Sequence, residues 1–365
     1  MRSLARSILV AALPLAGLAV TTPAHAEPVF CKPAATQWKA VDLGTDFTPT
    51  SINDQGLVVG SKVANPGQVP QRNVAVSWKA GTLKELGYLP FAFLRGPNSV
   101  ATGVDEQGRI SGYGTALDGE RHAFVYRDGR LQDLGQWGVH SQGNTIGNGV
   151  VGGYIEDKKI EGDLLRKRLS ALWSGGTYGL PSGGAGSQIV DMNEKGDWVG
   201  STNLSSSTTG DDGAFNRAER GYARIGQNTT VDLGTLGGKW TLPVGINEKG
   251  VVVGTSAVDA AGVLEDAFVW DAATGMRALP GENRGRFVRP TAINTAGEII
   301  GSYHCSDTVA GPVVWPSPTS GPLALPLPAG ATSSQVVDIN DKSAVIGVSS
   351  YPGSVRRATL WTKQP

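Results

Sequence analysis

The stretch Val231–Gly254, VDLGTLGGKWTLPVGINEKGVVVG, decides the fold of this chain. Its run Val251-Val252-Val253 favours extended backbone, because valine branches at Cβ. Just before it, the Asn247 side chain can hydrogen-bond the backbone two residues on, and Gly250 can adopt a positive φ without a Cβ clash. The stretch therefore predicts two short strands joined by a tight turn that starts at an asparagine, which we call the Asn turn.

The Asn turn and the strand after it recur along the whole chain. The turns are Ile52–Gly56, Val104–Gly108, Ile146–Gly149, Met192–Gly196, Ile246–Gly250, Ile293–Gly297 and Ile339–Ser343, the third being shortened. The strand after each turn is predicted to end on a glycine: Gly60, Gly112, Gly152, Gly200, Gly254, Gly301 and Gly347. We interpret these glycines as packing positions, because blades approach closely near the axis. These glycines lie 40 to 54 residues apart, so the chain consists of seven related units.

Two further series have the same period. One is a short apolar strand with a large side chain, at Trp78, Tyr126, Trp173, Ile225, Trp270, Trp315 and Trp361. The other is a strand that ends in Leu-Gly or Leu-Pro, at Leu43, Leu86, Leu134, Leu180, Leu233, Leu279 and Leu325. Each unit thus holds about four strands, and repeats of about 40–50 residues with four strands are typical of propeller blades. We predict an all-β, seven-bladed β-propeller of four-stranded antiparallel blades.

The order of the series predicts how the ring closes. The chain begins with a strand of the Leu-Gly type, at about 38–44, and ends with one of the large-side-chain type, at about 357–362. The last unit therefore lacks its fourth strand, and the first strand lacks a blade. Pairing the two closes the ring and removes an exposed sheet edge.

The N-terminus predicts export. Arg2 and Arg6 precede an apolar run from Ile8 to Val20 and the small-residue site Ala24-His25-Ala26, a pattern typical of a secretory signal. A membrane anchor is the alternative, but the run is shorter than the roughly 20 apolar residues that span a bilayer. We predict a signal peptide at 1–26, a lead segment at 27–37 and the propeller at 38–365, in an extracellular or periplasmic protein.

Composition restricts the partners. Without the signal the chain has 30 basic and 32 acidic residues, so no basic face is implied and nucleic acid is an unexpected partner. We expect a monomer with no transmembrane segment. In an oxidising compartment Cys31 and Cys305 are predicted to form a disulfide, unless they lie too far apart to bond.

The predicted topology separates two faces of the ring. We label the strands of a blade A, before the Asn turn, then B, C and D. Because neighbouring strands are antiparallel, A–B and C–D turns share one face, the turn face, and B–C and D–A connections share the other, the loop face. The A–B turns are uniformly short, whereas the loop face varies, so ligand binding is expected on the loop face.

The candidate ligand-binding residues of the loop face are aromatic or basic side chains in its D–A connections. They are Phe91, Arg95, Trp137, His140, Lys239, Trp240, Arg284 and Arg286. If strand A is innermost, they ring the channel mouth, where they would suit stacking on sugars or contact with an acidic group. The alternative is that the aromatic rings pack between blades and the basic groups are solvated.

The sequence shows no catalytic, metal-binding or phosphate-binding motif. His122, His140 and His304 lack metal-ligand spacing, and no nucleophile elbow or phosphate-binding loop is present. The acidic residues of the Asn turns supply one or two oxygens per turn, fewer than calcium requires, so we interpret these turns as hairpin punctuation. We predict no catalytic residue, no metal site and no cofactor.

The repeated motifs resemble those of the bacterial extracellular HAF repeat family. The resemblance rests on His122–Tyr126, Asp266–Trp270, Asp232–Gly238 and the recurring Ile-Asn-x-x-Gly-x-Val-Val-Gly pattern, and it extends from Trp38 to Thr362. It implies an exported protein of β-propeller-like architecture and no particular activity.

Two functions remain open at this stage. The first is an exported binding module that recognises a carbohydrate, an envelope component or a protein. The second is a propeller enzyme, a glycan lyase or hydrolase, that uses His140 and carboxylates at the channel mouth. Propellers host both kinds of function, so the fold does not decide between them.

Overall fold

A computed structural model describes residues 37–44, 47–90, 96–135, 139–156, 168–174, 177–179, 186–203, 219–226, 230–281, 288–306 and 309–364. The described residues form 28 strands and no helix.

The strands follow one another in seven groups of four, with the seventh group split between the two ends of the chain. Blade one comprises β2 (Phe47–Ile52), β3 (Val58–Val63), β4 (Asn73–Lys79) and β5 (Thr82–Gly87). Blade two comprises β6 (Ser99–Val104), β7 (Ile110–Thr115), β8 (Arg121–Arg127) and β9 (Arg130–Asp133). Blade three comprises β10 (His140–Gly147), β11 (Val150–Glu156), β12 (Arg168–Ser174) and β13 (Thr177–Gly179). Blade four comprises β14 (Gln188–Met192), β15 (Trp198–Asn203), β16 (Glu219–Arg224) and β17 (Thr230–Asp232). Blade five comprises β18 (Thr241–Ile246), β19 (Val252–Ala257), β20 (Glu265–Asp271) and β21 (Gly275–Ala278). Blade six comprises β22 (Arg289–Ile293), β23 (Ile299–Ser306), β24 (Val309–Trp315) and β25 (Leu323–Ala324). Blade seven comprises β26 (Ser333–Ile339), β27 (Val345–Tyr351), β28 (Val355–Lys363) and β1 (Trp38–Asp42).

The sheets form a seven-bladed β-propeller, as predicted. Each blade is a four-stranded antiparallel sheet in the order A-B-C-D. The A strands contact one another all the way round the ring, and the circle closes where β2 meets β26. Strand A is therefore innermost, and the A strands surround the central channel.

The predicted closure of the ring is confirmed. Strand β1 pairs antiparallel with β28, and Val41 lies opposite Leu360. Beside this pair, Arg357 Nη1 donates to Asp42 Oδ2 at 2.8 Å. The first strand therefore completes the last blade, whose order is β1-β28-β27-β26.

The recurring strand glycine faces a β-bulge in strand A. In blade five the register shifts between Pro243 and Gly245, and Gly254 pairs with Pro243. A Cβ on Gly254 would lie 2.2 Å from the Leu242 carbonyl oxygen. The bulge thus brings backbone so close that only glycine fits, which confirms the interpretation of these glycines as packing positions.

Two details of the predicted register are wrong. The strands do not end at the glycine but run on past it, as β19 does to Ala257. In blade three the glycine opposite the bulge is Gly153, not Gly152, because the shortened turn moves the register by one residue.

The core lies between neighbouring blades. Phe124, Phe268, Trp315 and Trp361 are among the largest fully buried side chains. Trp315 Nε1 donates to the Pro280 carbonyl of the preceding blade at 2.8 Å. The Leu-Pro end of one blade is therefore tied to the large C-strand side chain of the next.

Candidate functional site at the two ends of the channel

The two faces of the ring differ in how much they vary. Six of the seven A–B connections on the turn face have five residues, as at 53–57 and 247–251, and the one in blade three has two, 148–149. On the loop face the B–C connections range from residues 307–308 to residues 204–218. The A–B turns are thus short throughout, as predicted, and the loop face carries the greater variation in length.

The asparagines of the Asn turns link each blade to the next. Asn247 Oδ1 accepts from Lys249 N and Val251 N at 3.0 Å, and its Nδ2 donates to the Asn294 carbonyl at 2.9 Å. Asn193, Asn294, Asn340 and Asn53 donate to the next blade in the same way. All five are buried. The Asn turn therefore links neighbouring blades by a hydrogen bond and also forms the A–B hairpin.

The contact between the turns of blades two and three uses a different pair of hydrogen-bonding groups. Blade two has Asp105 at this position, and blade three has the shortened turn. Asp105 Oδ2 accepts from Gly149 N at 3.1 Å and from Arg109 Nε at 2.6 Å. Here the Asp105 carboxylate accepts from a backbone N–H of the next blade, whereas the asparagine amides of the other turns donate to a backbone carbonyl.

A rim of carboxylates surrounds the channel mouth on the turn face. It consists of Asp54, Glu106, Glu194, Glu248 and Asp341, which all line one cavity of about 290 Å³. Each accepts a backbone N–H from another Asn turn, at 2.7–3.0 Å. Glu194 reaches past the shortened turn of blade three to Glu106 N and also accepts from Asn148 N. These carboxylates join the Asn turns to one another round the axis. The interpretation of the turns as simple hairpins missed this role, although the acidic residues recur in the sequence with the period of the blades.

Burial raises the pKa of two of these rim residues. Loss of hydration is the main cause at Glu106, and the Asp54, Glu194 and Asp341 charges add to it. Loss of hydration also raises the pKa of Glu248, with a further contribution from Glu194 and Asp341. The rim is therefore a region of concentrated negative charge.

Two further aspartates lie below the rim and were not singled out in the sequence. Asp191 Oδ2 accepts from Ile246 N, and Asp338 Oδ2 accepts from Ile52 N, both at 2.9 Å. Each carboxylate thus accepts a hydrogen bond from an N–H on the free edge of the innermost strand of the following blade. Burial raises the pKa of Asp191 to about 6 and that of Asp338 to about 7, although these hydrogen bonds favour the ionised form.

The rim does not form a compact metal site. Among the described residues, no group of three or more His, Cys, Asp or Glu side chains is placed to hold a metal ion. The rim oxygens point along the ring to the next turn, and their backbone contacts account for the geometry of the mouth.

On the loop face, His140 lies in a charged cluster between blades two and three. His140 begins the innermost strand β10, and its Nδ1 lies 3.3 Å from Glu120 Oε2. Arg121, next to Glu120, donates to the Tyr154 hydroxyl at 3.0 Å. Tyr154 in turn donates to Gln142 Oε1 at 3.0 Å. The cluster therefore couples β10 at the channel mouth to β8 of blade two and β11 of blade three.

Two arginines cover the Tyr154 ring in this cluster. The Arg168 Cζ lies 4.3 Å and the Arg121 Cζ 5.7 Å from the ring centroid, within the range of a cation–π contact. Glu156 Oε1 lies 3.1 Å from Arg168 Nε. Burial raises the pKa of the Tyr154 hydroxyl. Because Tyr154 is buried, the arginines and not the ring meet solvent here.

His122 is buried in blade two between two carboxylates. Its Nδ1 lies 2.8 Å from Asp133 Oδ2 and its Nε2 lies 3.1 Å from Asp118 Oδ2. Burial opposes protonation, but the Asp133 and Asp118 contacts outweigh it and raise the pKa of His122. This arrangement pins the B–C hairpin of blade two to strand β9.

The other candidate ligand-binding residues are distributed as follows. Lys239 is exposed on the loop face. Trp240 is buried, and its Nε1 donates to the Gly262 carbonyl at 3.0 Å, which fits the packing alternative. Five candidates lie outside the described residues: Phe91, Arg95, Trp137, Arg284 and Arg286. The predicted disulfide also falls outside them, because Cys31 does.

No helix among the described residues has the length and apolar character needed to cross a bilayer. The signal segment 1–26 lies outside this part of the chain.

Comparisons with known proteins agree with the fold. No family model and no curated protein sequence matches the chain. Among solved structures, the β-propeller domain of the Trilobed protease from Pyrococcus furiosus, described as having an open velcro topology, matches with a TM-score of 0.58 and 8% identity over 87% of this chain and 96% of that one. An acylaminoacyl peptidase from Pyrococcus horikoshii matches with a TM-score of 0.56 and 10% identity over 86% of this chain and 51% of that one. A prolyl endopeptidase matches with a TM-score of 0.56 and 12% identity over 90% of this chain and 47% of that one. The chain thus spans nearly all of the isolated propeller domain and about half of the two peptidases. At these identities the likeness shows the fold alone: this chain is a seven-bladed β-propeller.

Proposed function

We propose that this chain is an exported member of the HAF repeat family that acts as a binding module and recognises a carbohydrate, an envelope component or a protein through its loop face. The observation that supports it is the contrast between the two faces. Five-residue turns repeat round one face, while connections of very different length and composition cover the other. Ligand-binding loops on a rigid scaffold have this arrangement.

The cluster around His140 is the part of the loop face to test first. Arg168 and Arg121 stand over Tyr154 with their guanidinium groups partly exposed, next to the channel mouth. Guanidinium groups held in this way are suited to an acidic group on a ligand. An acidic polysaccharide or an acidic protein surface would satisfy that chemistry.

The test is an array of glycans and envelope components probed with purified residues 27–365. We expect a hit that Arg168→Ala weakens about tenfold and that Lys79→Ala, on the turn face, leaves unchanged. Loss of binding in both variants, or in neither, contradicts the assignment to this cluster.

The enzyme alternative rests on the His140–Glu120 pair, since a histidine oriented by a carboxylate is a common general base. Any hit from the array is therefore incubated with the protein and examined for products. Product formation that His140→Ala abolishes would replace the binding module with a lyase or hydrolase.

A further inference from the structure

A groove of about 680 Å³ lies between blades two and three on the turn face, on the opposite face from the His140 cluster, and extends from Arg109 and Gly149 in the A–B turns outward to strand β9. Its floor is formed by Val125, Leu134, Val151 and Trp173, and Arg127 and Arg130 stand at its side. Asp133 also lines the groove, but its carboxylate is paired with His122.

The Trp173 indole N–H is an unsatisfied donor in the wall of this groove. In blades six and seven the equivalent Trp315 and Trp361 donate to the carbonyls of Pro280 and Pro326, at 2.8 and 2.7 Å. Trp173 is 2% exposed, and its Nε1 is buried without a hydrogen-bond partner among the residues that the structure describes. Because an unpaired buried donor costs about 1–3 kcal/mol, an acceptor from outside the chain would be favourable here.

Two arginines carry like charge directly opposite each other at the same groove. Arg127 and Arg130 are register partners in the β8–β9 hairpin, so their side chains leave the same side of the sheet. Arg127 Nε donates to Gln132 Oε1, and Arg130 has no hydrogen-bond or ion-pair partner within the described ranges. Like charges in this position are destabilising, and an anion between them would remove the repulsion.

Strand β9 also presents a free backbone edge. It is the outermost strand of blade two, and residues 130–135 line the groove without interruption. An extended peptide can add to such an edge by main-chain hydrogen bonds while its side chains enter neighbouring pockets. A small anion would use the arginines but neither the edge nor the apolar floor.

We propose that the groove between blades two and three binds an extended acidic peptide segment of a partner protein. Its acidic side chains pair with Arg127 and Arg130, its apolar side chains cover Val125, Leu134 and Val151, and one of its oxygens accepts from Trp173 Nε1.

The test uses blocked five-residue probe peptides and titration calorimetry. Acetyl-LDLDL-amide is expected to bind, whereas acetyl-LKLKL-amide, with reversed charge, and acetyl-GDGDG-amide, without apolar side chains, are expected to bind at least about tenfold more weakly. Arg130→Glu should weaken the first peptide about tenfold, and the same charge change at the exposed and distant Arg356→Glu should leave it unchanged.

Trp173→Phe tests the indole donor. It should weaken the acidic peptide several-fold while the melting temperature stays the same or rises, so loss of binding is distinguished from loss of fold. Equal binding of the acidic and basic peptides, or an Arg130→Glu variant that binds like the parent, overturns the proposal. So does displacement by inorganic phosphate as effective as that by the peptide, which would show a site for small anions.

Discussion

At the scale of single residues, the Asn turns show how the same position can require opposite chemistry. Five of these turns place an amide donor against a carbonyl of the next blade, and Asp105 places a carboxylate against an N–H. An asparagine stabilises this contact in five blades, but the contact of blade two requires an aspartate. The consensus of the repeat therefore does not give the most stable residue in every blade.

Asp105→Asn, a change toward the repeat consensus, is expected to destabilise the protein by about 2 kcal/mol. The amide group would face Gly149 N–H and lose the buried pair with Arg109. Asn247→Asp, the reverse change, should be at least as costly, because the Asn294 carbonyl loses its donor. Chemical denaturation of both variants measures these losses, and an Asp105→Asn variant as stable as the parent would contradict the account.

Trp315→Phe and Trp173→Phe should differ in stability. The first removes the donor to the Pro280 carbonyl and leaves that oxygen buried and unpaired, which costs about 1–3 kcal/mol. The second removes a donor that has no partner in the described part of the chain, so it should be neutral or stabilising. Both changes delete the same atoms from a buried ring, so each is the control for the other, and equal melting temperatures would show that these indole contacts are irrelevant to stability.

Whether the sequence predicts the role of a residue depends on how many positions along the chain separate that residue from its partner. Local signals were sufficient for the Asn turns and the packing glycines, since one turn or one bulge determines them. The inter-blade role of Asp105, the carboxylate rim and the edge-satisfying Asp191 and Asp338 depends on residues about 50 or more positions away. Their signal was a common period, which indicates repetition but not what each residue contacts.

At the scale of elements, β1 is the strand on which the ring depends most. It supplies the D strand of blade seven and covers the edge of β28. The order of strand types predicted this pairing before any register was known. The short turn in blade three, by contrast, moved the local register by one residue, because length changes in a hairpin shift every pair after them.

Deleting residues 1–44 should open the ring, since β28 then presents an unpaired edge. We expect a lower melting temperature and self-association at higher concentration, measured by calorimetry and by light scattering after size exclusion. A chain that lacks only residues 1–36 keeps β1 and is the matched control. A monomeric truncated chain with the control's melting temperature would show that closure by β1 is dispensable.

At the scale of the whole molecule, the channel concentrates groups that resist ionisation. Asp191 and Asp338 have pKa values raised to about 6 and about 7 from an ordinary value of 3.8. The folded state therefore holds these protons more tightly than the unfolded state does. Their stabilising effect is complete below about pH 4 and is lost as the pH rises through the folded-state pKa values.

Stability is accordingly expected to fall between pH 5 and pH 8, by on the order of 4 kcal/mol from these two groups together. Thermal melts across this range measure the slope, which should flatten in the Asp191→Asn/Asp338→Asn double variant. A residual slope of the same sign is expected from His122, whose pKa is also raised, and His122→Gln isolates it. Parent stability that rises from pH 5 to pH 8 would falsify the assignment.

The geometry of closure also determines how the molecule responds to force. Trp38 pairs with Lys363, so both chain ends leave blade seven from the same end of one strand pair. Tension applied through the termini would load the β1–β28 hydrogen bonds one after another, as in opening a zipper, and not all together in shear. The ring is thus expected to yield at low force at this seam, with the other six blades intact when it does, and a tether at either end would place the weakest mechanical point of the protein next to its anchor.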